Sequence, residues 1–173
     1  MKKAAISAAV LTAVLLGVFL YGLANAKLHL RPLAPQVISA AQQPQEFVRL
    51  HTALQDRSLI GTLFQQSMEG EAGEYSLIVY PVEVTNRGLV EAQMAEVIVS
   101  PTPQDVLCYT DGSAQGEVPV VNIAPGETRT IRCVLLTRNG QRLDAVRDLH
   151  VSYHVWGNPF TLRTISPQAS TGG

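Results

Sequence analysis

The chain has 173 residues, a formal net charge of −1 and 46% hydrophobic residues. This length is enough for one core of ordinary domain size. The charge balance excludes a nucleic-acid-binding protein, which would carry a basic patch, and no run of like charges predicts a tail for an oppositely charged partner. Apart from Lys2 and Lys3, 11 basic residues stand against 14 acidic ones, so attraction to an anionic membrane surface is not expected either.

The first 26 residues have the features of an export segment. Lys2 and Lys3 precede an uncharged stretch, residues 4–23, and Ala24-Asn25-Ala26 follows it. A basic start, an apolar run and an A-x-A site are typical of a signal peptide cleaved after Ala26. An uncleaved transmembrane helix fits equally well, because about 20 residues at about 1.5 Å each span roughly 30 Å of hydrocarbon. Both interpretations place residues from 27 onward outside the cytoplasm.

Two segments follow before the main domain. Residues 27–45 are rich in Pro, Gln and Ala and predict a stalk or linker, because three prolines interrupt any long helix. Residues 46–73 predict a helix or a first strand that leads into the domain. Apolar residues at helical spacing favour a helix over residues 44–56, whereas residues 60–64 fit a strand equally well.

From residue 74 to residue 165 the hydrophobic period changes to two, which predicts an antiparallel β-sandwich. The predicted strands are residues 75–85, 89–100, 105–110, 117–122, 128–137, 142–146, 149–156 and 160–165. In the second strand, Ala95, Val97 and Val99 share one face. Pro81 indicates an edge position or a bulge, because proline cannot donate a hydrogen bond to a neighbouring strand. Asn139-Gly140 is a hairpin signal, and residues 166–173 predict a disordered tail.

A family pattern runs through residues 80–88 (YPVEVTNRG), 95–99 (AEVIV) and 122–131 (NIAPGETRTI). It resembles the bacterial immunoglobulin-like sandwiches of the cell-adhesion-related (CARDB) type. In that family a V-x-V-x-N-x-G strand and turn precedes a V-x-V strand and, later, a Pro-Gly-Glu turn. The resemblance covers roughly residues 74–137. It implies an all-β, immunoglobulin-like fold of two sheets in a surface or adhesion setting, with no catalytic residues to carry over.

The two cysteines, Cys108 and Cys133, lie on separate predicted strands, where Cys108 is expected to share a face with Val106 and Thr110. In an oxidising compartment such an isolated pair is most simply a disulfide. Closing a loop of about 26 residues would stabilise the fold by roughly 3.5 kcal/mol in the chain-entropy model. A redox or metal-binding pair is the first alternative, although it lacks a C-x-x-C spacing and a nearby His. Two buried free thiols are the second.

His150, His154 and Trp156 form a candidate interaction face. On a helix, the H-x-x-x-H spacing would bring two imidazoles to one metal ion. The alternation through residues 149–156 predicts a strand instead, which puts the imidazoles about 13 Å apart, too far for one ion with ligand bonds near 2 Å. We expect the histidines to line a half-exposed polar face. Trp156, with Tyr153 and Phe160, is expected to pack in the core or in a sheet-face cluster, or to form a platform for a carbohydrate or a partner.

Patterns of catalytic residues are absent from the sequence. It contains no G-x-S-x-G elbow, no phosphate-binding glycine loop and no H-E-x-x-H. Asp105, Asp111 and Glu117 could surround a calcium ion, but they lack the ligand spacing of a calcium-binding loop. The sequence therefore predicts no catalytic residue, no metal and no cofactor.

The predicted function is that of a non-enzymatic extracytoplasmic interaction or structural module, in the form of an accessory subunit of a cell-envelope assembly. Its partner would be an unknown protein of the envelope, with membrane contact through residues 4–23 if the N-terminal segment is uncleaved. One alternative is a subunit that polymerises by strand exchange through residues 27–64. Another is an enzyme or metal-binding protein that uses the face of His150 and His154.

Overall fold

The computed structural model describes residues 2–24, 27–55, 62–65, 69–111, 121–139 and 146–168. Helix α1 is Lys2–Ala24, helix α2 is Pro44–Gln55, and short 3-10 helices occupy Ala40–Gln42 and Ala72–Glu74. Within the described residues the strands are β1 (Leu28–Pro32), β2 (Gln36–Ser39), β3 (Thr62–Gln65), β4 (Tyr75–Asn86), β5 (Ala92–Val99), β6 (Asp105–Asp111), β7 (Val121–Ile123), β8 (Thr128–Arg138), β9 (Asp148–Val155) and β10 (Asn158–Ile165).

The strands form two antiparallel sheets, which confirms the predicted β-sandwich. The first sheet has the order β1-β4-β8-β6-β3, with β2 also paired to β4, and the second has the order β10-β9-β5-β7. Because side chains alternate between the two faces of a strand, every second residue points between the sheets. Residues that fill this inner core include Val82, Val84, Ile131 and Leu135 from the first sheet, and Ala95, Val97, Val99, Val151 and Tyr153 from the second.

The first sheet also has a second apolar cluster, on its outer face. Helix α2 covers this face with Phe47 and Leu50, which pack with Leu77, Leu107 and Leu136. Phe47 and Leu50 are three positions apart and therefore share one side of the helix. With both faces covered, β8 is buried without interruption from Cys133 to Thr137. The predicted helix is confirmed, and it begins at Pro44, a favourable first helical residue because its missing N–H would have no partner there.

The segment predicted as a stalk, residues 27–45, instead supplies β1 and β2 of the first sheet, followed by a 3-10 helix and the start of α2. β1 pairs with the end of β4, from Pro32 opposite Val82 to Leu28 opposite Asn86. β2 pairs with its beginning, from Ser39 opposite Ser76 to Gln36 opposite Val79. The Pro-rich composition obscured these strands, because Pro32 is the last residue of β1 and Pro35 lies in the break that follows it, while Pro44 begins α2.

Pro81 is neither on an edge strand nor at a bulge, since β4 has β8 on one side and β1 and β2 on the other. Its carbonyl accepts a hydrogen bond from Leu33 N (2.9 Å), in the break between β1 and β2. In an antiparallel strand the N–H and C=O of a residue point the same way, so the missing N–H of Pro81 faces this break. No hydrogen bond to β8 is lost, which explains how a proline fits inside the sheet.

Asn86 joins the ends of both sheets and is buried. Its side-chain amide donates to Val90 O (2.8 Å) and Ile123 O (2.9 Å), and its side-chain oxygen accepts from Gly88 N (2.8 Å). Its backbone O accepts from Gly126 N (2.8 Å), in the Pro-Gly-Glu turn. The N-x-G and Pro-Gly-Glu segments of the sequence are thus parts of one hydrogen-bonded junction.

Other predictions need adjustment at their ends. The strand predicted at residues 142–146 lies outside the described residues except for Val146, and so does Gly140 of the predicted hairpin signal. Of the tail predicted at residues 166–173, residues 169–173 lie outside the described residues, whereas Ser166 is buried and exchanges hydrogen bonds with Arg147 (Ser166 N to Arg147 O, 2.8 Å). Among the described residues, no helix is long and apolar enough to cross a membrane.

Candidate functional site

The outer face of the second sheet carries both histidines of the predicted interaction face. Along β9, Leu149, Val151, Tyr153 and Val155 are buried, whereas His150, Ser152 and His154 are half-buried. The strand predicted from this alternation is confirmed. The face is therefore half-exposed, as the sequence predicted.

Each histidine has a different cross-strand setting. His150 lies opposite Ile98 of β5 and Arg163 of β10, and His154 lies opposite Gln93 and Pro159. The His150 Nε2 is 2.9 Å from Ser100 Oγ, and His154 Nδ1 is buried with no hydrogen-bond partner among the described residues.

The structure does not bring the two imidazoles together as a pair of ligands. Ser152 lies between them on the strand, and its hydroxyl donates to Glu96 Oε1 (2.7 Å). In the described ranges, no group of three or more His, Cys, Asp or Glu side chains could hold a metal ion. Asp105, one of the residues considered for calcium, has its carboxylate bonded to Arg147.

Trp156 lies at the tip of the hairpin between β9 and β10. Val155 pairs with Asn158, so Trp156 and Gly157 form a two-residue turn, and both have positive φ angles, 50° and 76°. This is the type I′ geometry, which Asn-Gly adopts readily and which a tryptophan adopts at a cost of about 1 kcal/mol or more. Trp156 is 43% exposed. A bulky aromatic residue is thus presented at a site that favours a small polar one.

Trp156 does not join the other two aromatic residues considered with it. Tyr153 and Phe160 stack on each other with ring centroids 5.4 Å apart, at the inner core. Trp156 instead stacks on Phe19 of α1, with centroids 5.1 Å apart and an interplanar angle of 14°. Tyr153 and Phe160 therefore form a pair in the core, whereas Trp156 lies apart from them at the exposed tip of the hairpin.

A groove of about 370 Å³ on the outer face of the first sheet was not predicted from the sequence. Its lining includes Gln43, Glu46, Tyr109 and Arg132. Arg49 binds the Glu46 carboxylate through two hydrogen bonds (2.8 and 2.6 Å), and Tyr109 donates to it as well (3.0 Å). The bond from Arg49 is the main reason that the pKa of Glu46 is lowered, although burial opposes it. The i,i+3 spacing of Glu46 and Arg49 was visible in the sequence, but Tyr109 is 63 residues away.

A buried ion pair, Asp105 and Arg147, was also missed. Arg147 Nη2 donates to Asp105 Oδ2 (2.5 Å) and to Ser100 O (2.7 Å). The Arg147 and Asp105 side chains are only 8% and 0% exposed. Tyr80 lies near this pair, and burial raises its pKa to about 12. This cluster links Arg147 to the end of β5 and to the start of β6.

The cysteines are diagonal neighbours on adjacent strands, since Cys108 lies opposite Leu135 and Cys133 lies opposite Thr110. Cys108 does not share a face with Val106 as predicted. An irregular register between Asp105 and Leu107 shifts the alternation, so Val106 packs under α2 and Cys108 in the inner core.

Both cysteines are buried thiols with their Sγ atoms 3.0 Å apart. The hydrogen bond from Cys133 lowers the pKa of Cys108, whereas burial raises that of Cys133. Their proximity makes the disulfide a prediction that can be tested directly.

We expect Cys108 and Cys133 to be joined in the protein from its own cells. Alkylation under denaturing conditions, where burial cannot block the reagent, should add no label before reduction and two labels after it, as read by intact mass. Reduction should lower the free energy of unfolding by roughly 3.5 kcal/mol. Two labels in the denatured but unreduced chain would show free thiols and contradict the prediction. A Cys108→Ser, Cys133→Ser variant, whose stability cannot respond to reductant, is the control.

Comparisons with known proteins give distant similarities only. No family model matches the sequence, and no curated protein matches it. A FixG-related protein from Vibrio parahaemolyticus aligns at a TM-score of 0.38 and 13% identity, over 64% of this chain and 94% of its own. An uncharacterised β-sandwich protein from Clostridium difficile aligns at 0.37 and 11%, over 80% and 85%. The putative ApaA protein from Bordetella pertussis aligns at 0.35 and 14%, over 84% and 96%. At these TM-scores the alignments carry no argument about function.

Proposed function

We propose that this protein is an exported, non-enzymatic interaction module that binds a protein partner of the cell envelope through the Trp156 hairpin and the adjoining face of His150 and His154. Trp156 is the observation that carries the proposal. It occupies a left-handed backbone position that costs stability and keeps 43% of its surface exposed. Strain of this kind, retained on the surface, is typical of residues kept for binding rather than for folding. Exposed tryptophans are also strongly enriched among the residues that dominate protein interfaces.

Export rests on the N-terminal residues. A basic start, an apolar helix and Ala24-Asn25-Ala26 support cleavage after Ala26. None of the described residues of α1 belongs to either apolar cluster, so the sandwich keeps both clusters when α1 is removed. The immunoglobulin-like, CARDB-type relationship is part of this proposal, supported by the junction that Asn86 makes with the Pro-Gly-Glu turn.

The two alternative functions gain less support. The segment considered for strand exchange, residues 27–64, pairs within its own chain: β1 and β2 with β4, and the described part of β3 with β6. The histidines considered for catalysis are separated along β9, and one of them contacts Ser100.

The test separates binding from folding with Trp156→Asn in the chain that begins at Lys27. Asn is preferred at this position of a type I′ turn, so the variant should gain about 1 kcal/mol in free energy of unfolding, measured by urea denaturation. A photoreactive residue in place of the exposed Pro159 should crosslink one discrete envelope protein in cells. The photoreactive residue at position 159 should not crosslink that protein when it is combined with Trp156→Asn. Crosslinks that persist unchanged in the Trp156→Asn protein would overturn the proposal, and a photoreactive residue at Val48, on α2, gives the background.

A further inference from the structure

The C-terminal turn of α1 lies directly on the tip of the Trp156 hairpin. The Phe19 ring stacks on the indole, and Gly22, three residues later, meets the same side chain. A Cβ on Gly22 would lie 2.3 Å from Cη2 of Trp156 and 2.6 Å from Cζ3. Phe19 and Gly22 lie on the same side of the helix. The two residues therefore form one surface, an aromatic ring beside a patch of bare backbone.

Gly22 differs from the rest of its helix. Among the α1 residues whose exposure is described, it is the one that is buried, and its neighbours along the chain, such as Leu20 and Tyr21, are exposed. A Cβ added at Gly17, one and a half turns earlier, would meet nothing within 4 Å. A glycine that lets another group approach a helix backbone closely is the usual basis of tight helix contacts. Only Gly22 is in that position here among the described glycines of α1.

We infer that α1 is a cover for the Trp156 hairpin within the same chain, and that the surface uncovered by its removal binds an apolar helix with the same aromatic-x-x-Gly face. This inference rests on the proposed function, because it assigns the chemistry of the partner to the same site. The strained Trp156 turn then has one recognition mode: the indole lies flat on an aromatic ring and its edge enters the space above a glycine. Cleavage after Ala26 removes the cover and makes the surface available.

The chain contains a single tryptophan, so its fluorescence reports on this contact without labelling. Iodide quenching would be measured, in one detergent, for the full chain, for Gly22→Ala, for Gly17→Ala and for the chain that begins at Lys27. The full chain and Gly17→Ala should share one quenching constant, lower than that of the chain that begins at Lys27. Gly22→Ala should rise toward the value of the chain without α1. Because alanine favours a helix more than glycine does, loss of the contact in Gly22→Ala cannot be ascribed to loss of the helix.

The second arm adds the helix back as a separate molecule. A peptide of residues 13–24 with flanking lysines should lower the quenching of the chain that begins at Lys27, and the same peptide with Gly22→Ala should not. Equal quenching of Gly22→Ala, Gly17→Ala and the unchanged chain would overturn the inference, and so would equal effects of the two peptides. If both arms succeed while crosslinking from position 159 finds no partner, α1 covers Trp156 but the proposed function fails. If crosslinking succeeds while both arms fail, the proposed function is supported and the inference that α1 covers Trp156 is overturned.

Discussion

Replacing Arg147 with methionine is expected to lower the free energy of unfolding by about 3–5 kcal/mol, because it leaves the buried Asp105 carboxylate without its counter-charge. Asp105 Oδ2 also accepts from Thr102 N (2.6 Å) and Thr102 Oγ1 (2.9 Å), so the carboxylate is fixed in place and cannot turn toward water. Its Oδ1 is buried with no hydrogen-bond partner among the described residues. Methionine fills much of the volume of the arginine stem, so the loss would come mainly from charge and hydrogen bonding rather than from a cavity.

Urea denaturation, followed by Trp156 fluorescence and by circular dichroism, measures this loss. Arg163→Met on the exposed face of β10 is the matched control and should change the free energy of unfolding by less than about 0.5 kcal/mol. Combining Arg147→Met with Asp105→Leu should restore much of the loss, because the second change removes the stranded charge. Equal stabilities of the Arg147→Met and Arg163→Met proteins would show that the ion pair does not support the fold.

The sequence could predict what alternation and local spacing determine. The alternation places Ala95, Val97 and Val99 on one face of their strand, and the structure shows that this face lies in the inner core. It could not predict the partner of Asp105, because Arg147 is 42 residues away and both residues look like ordinary surface charges in a linear pattern. The face of Cys108 was assigned wrongly for a similar reason. The irregular register before Leu107 depends on pairing with β8, which a strand's own sequence does not reveal.

In the candidate site, too, some features follow from local sequence and others depend on distant residues. The polar face of His150 and His154 followed from the period of β9, which is local. The left-handed conformation of Trp156 could not be predicted from the sequence, because tryptophan disfavours it. The neighbouring Gly157-Asn158 does indicate a turn, but it does not show which residues have a positive φ. Its contact with Phe19 and Gly22 joins residues more than a hundred positions apart.

Replacing Leu50 with alanine is expected to lower the free energy of unfolding by about 2–5 kcal/mol, the range for deleting a fully buried leucine side chain. Leu50 is completely buried on the side of α2 that faces the first sheet and belongs to the cluster on the outer face of that sheet. The sequence left open whether this helix packs on the sandwich or stands apart, and only the first arrangement gives the change a large cost. Val48→Ala, two residues earlier on the exposed side of the same helix (60% exposed), is the control and should cost less than about 0.5 kcal/mol.

The measurement should distinguish global unfolding from release of the helix alone. If α2 is an integral layer, Leu50→Ala shifts the urea midpoint of the whole domain, and amide hydrogens of β8 exchange faster together with those of α2. If only the α2 amides lose protection while the midpoint stays at that of Val48→Ala, the helix is a separate cooperative unit. The buried run from Cys133 to Thr137 argues for the first result, because β8 needs α2 to shield the face that Val134 and Leu136 present away from the inner core. Truncating the Leu50 side chain would loosen the packing of α2 over the centre of the sheet. Loss of packing there is transmitted from β8 to both of its neighbouring strands, β4 and β6.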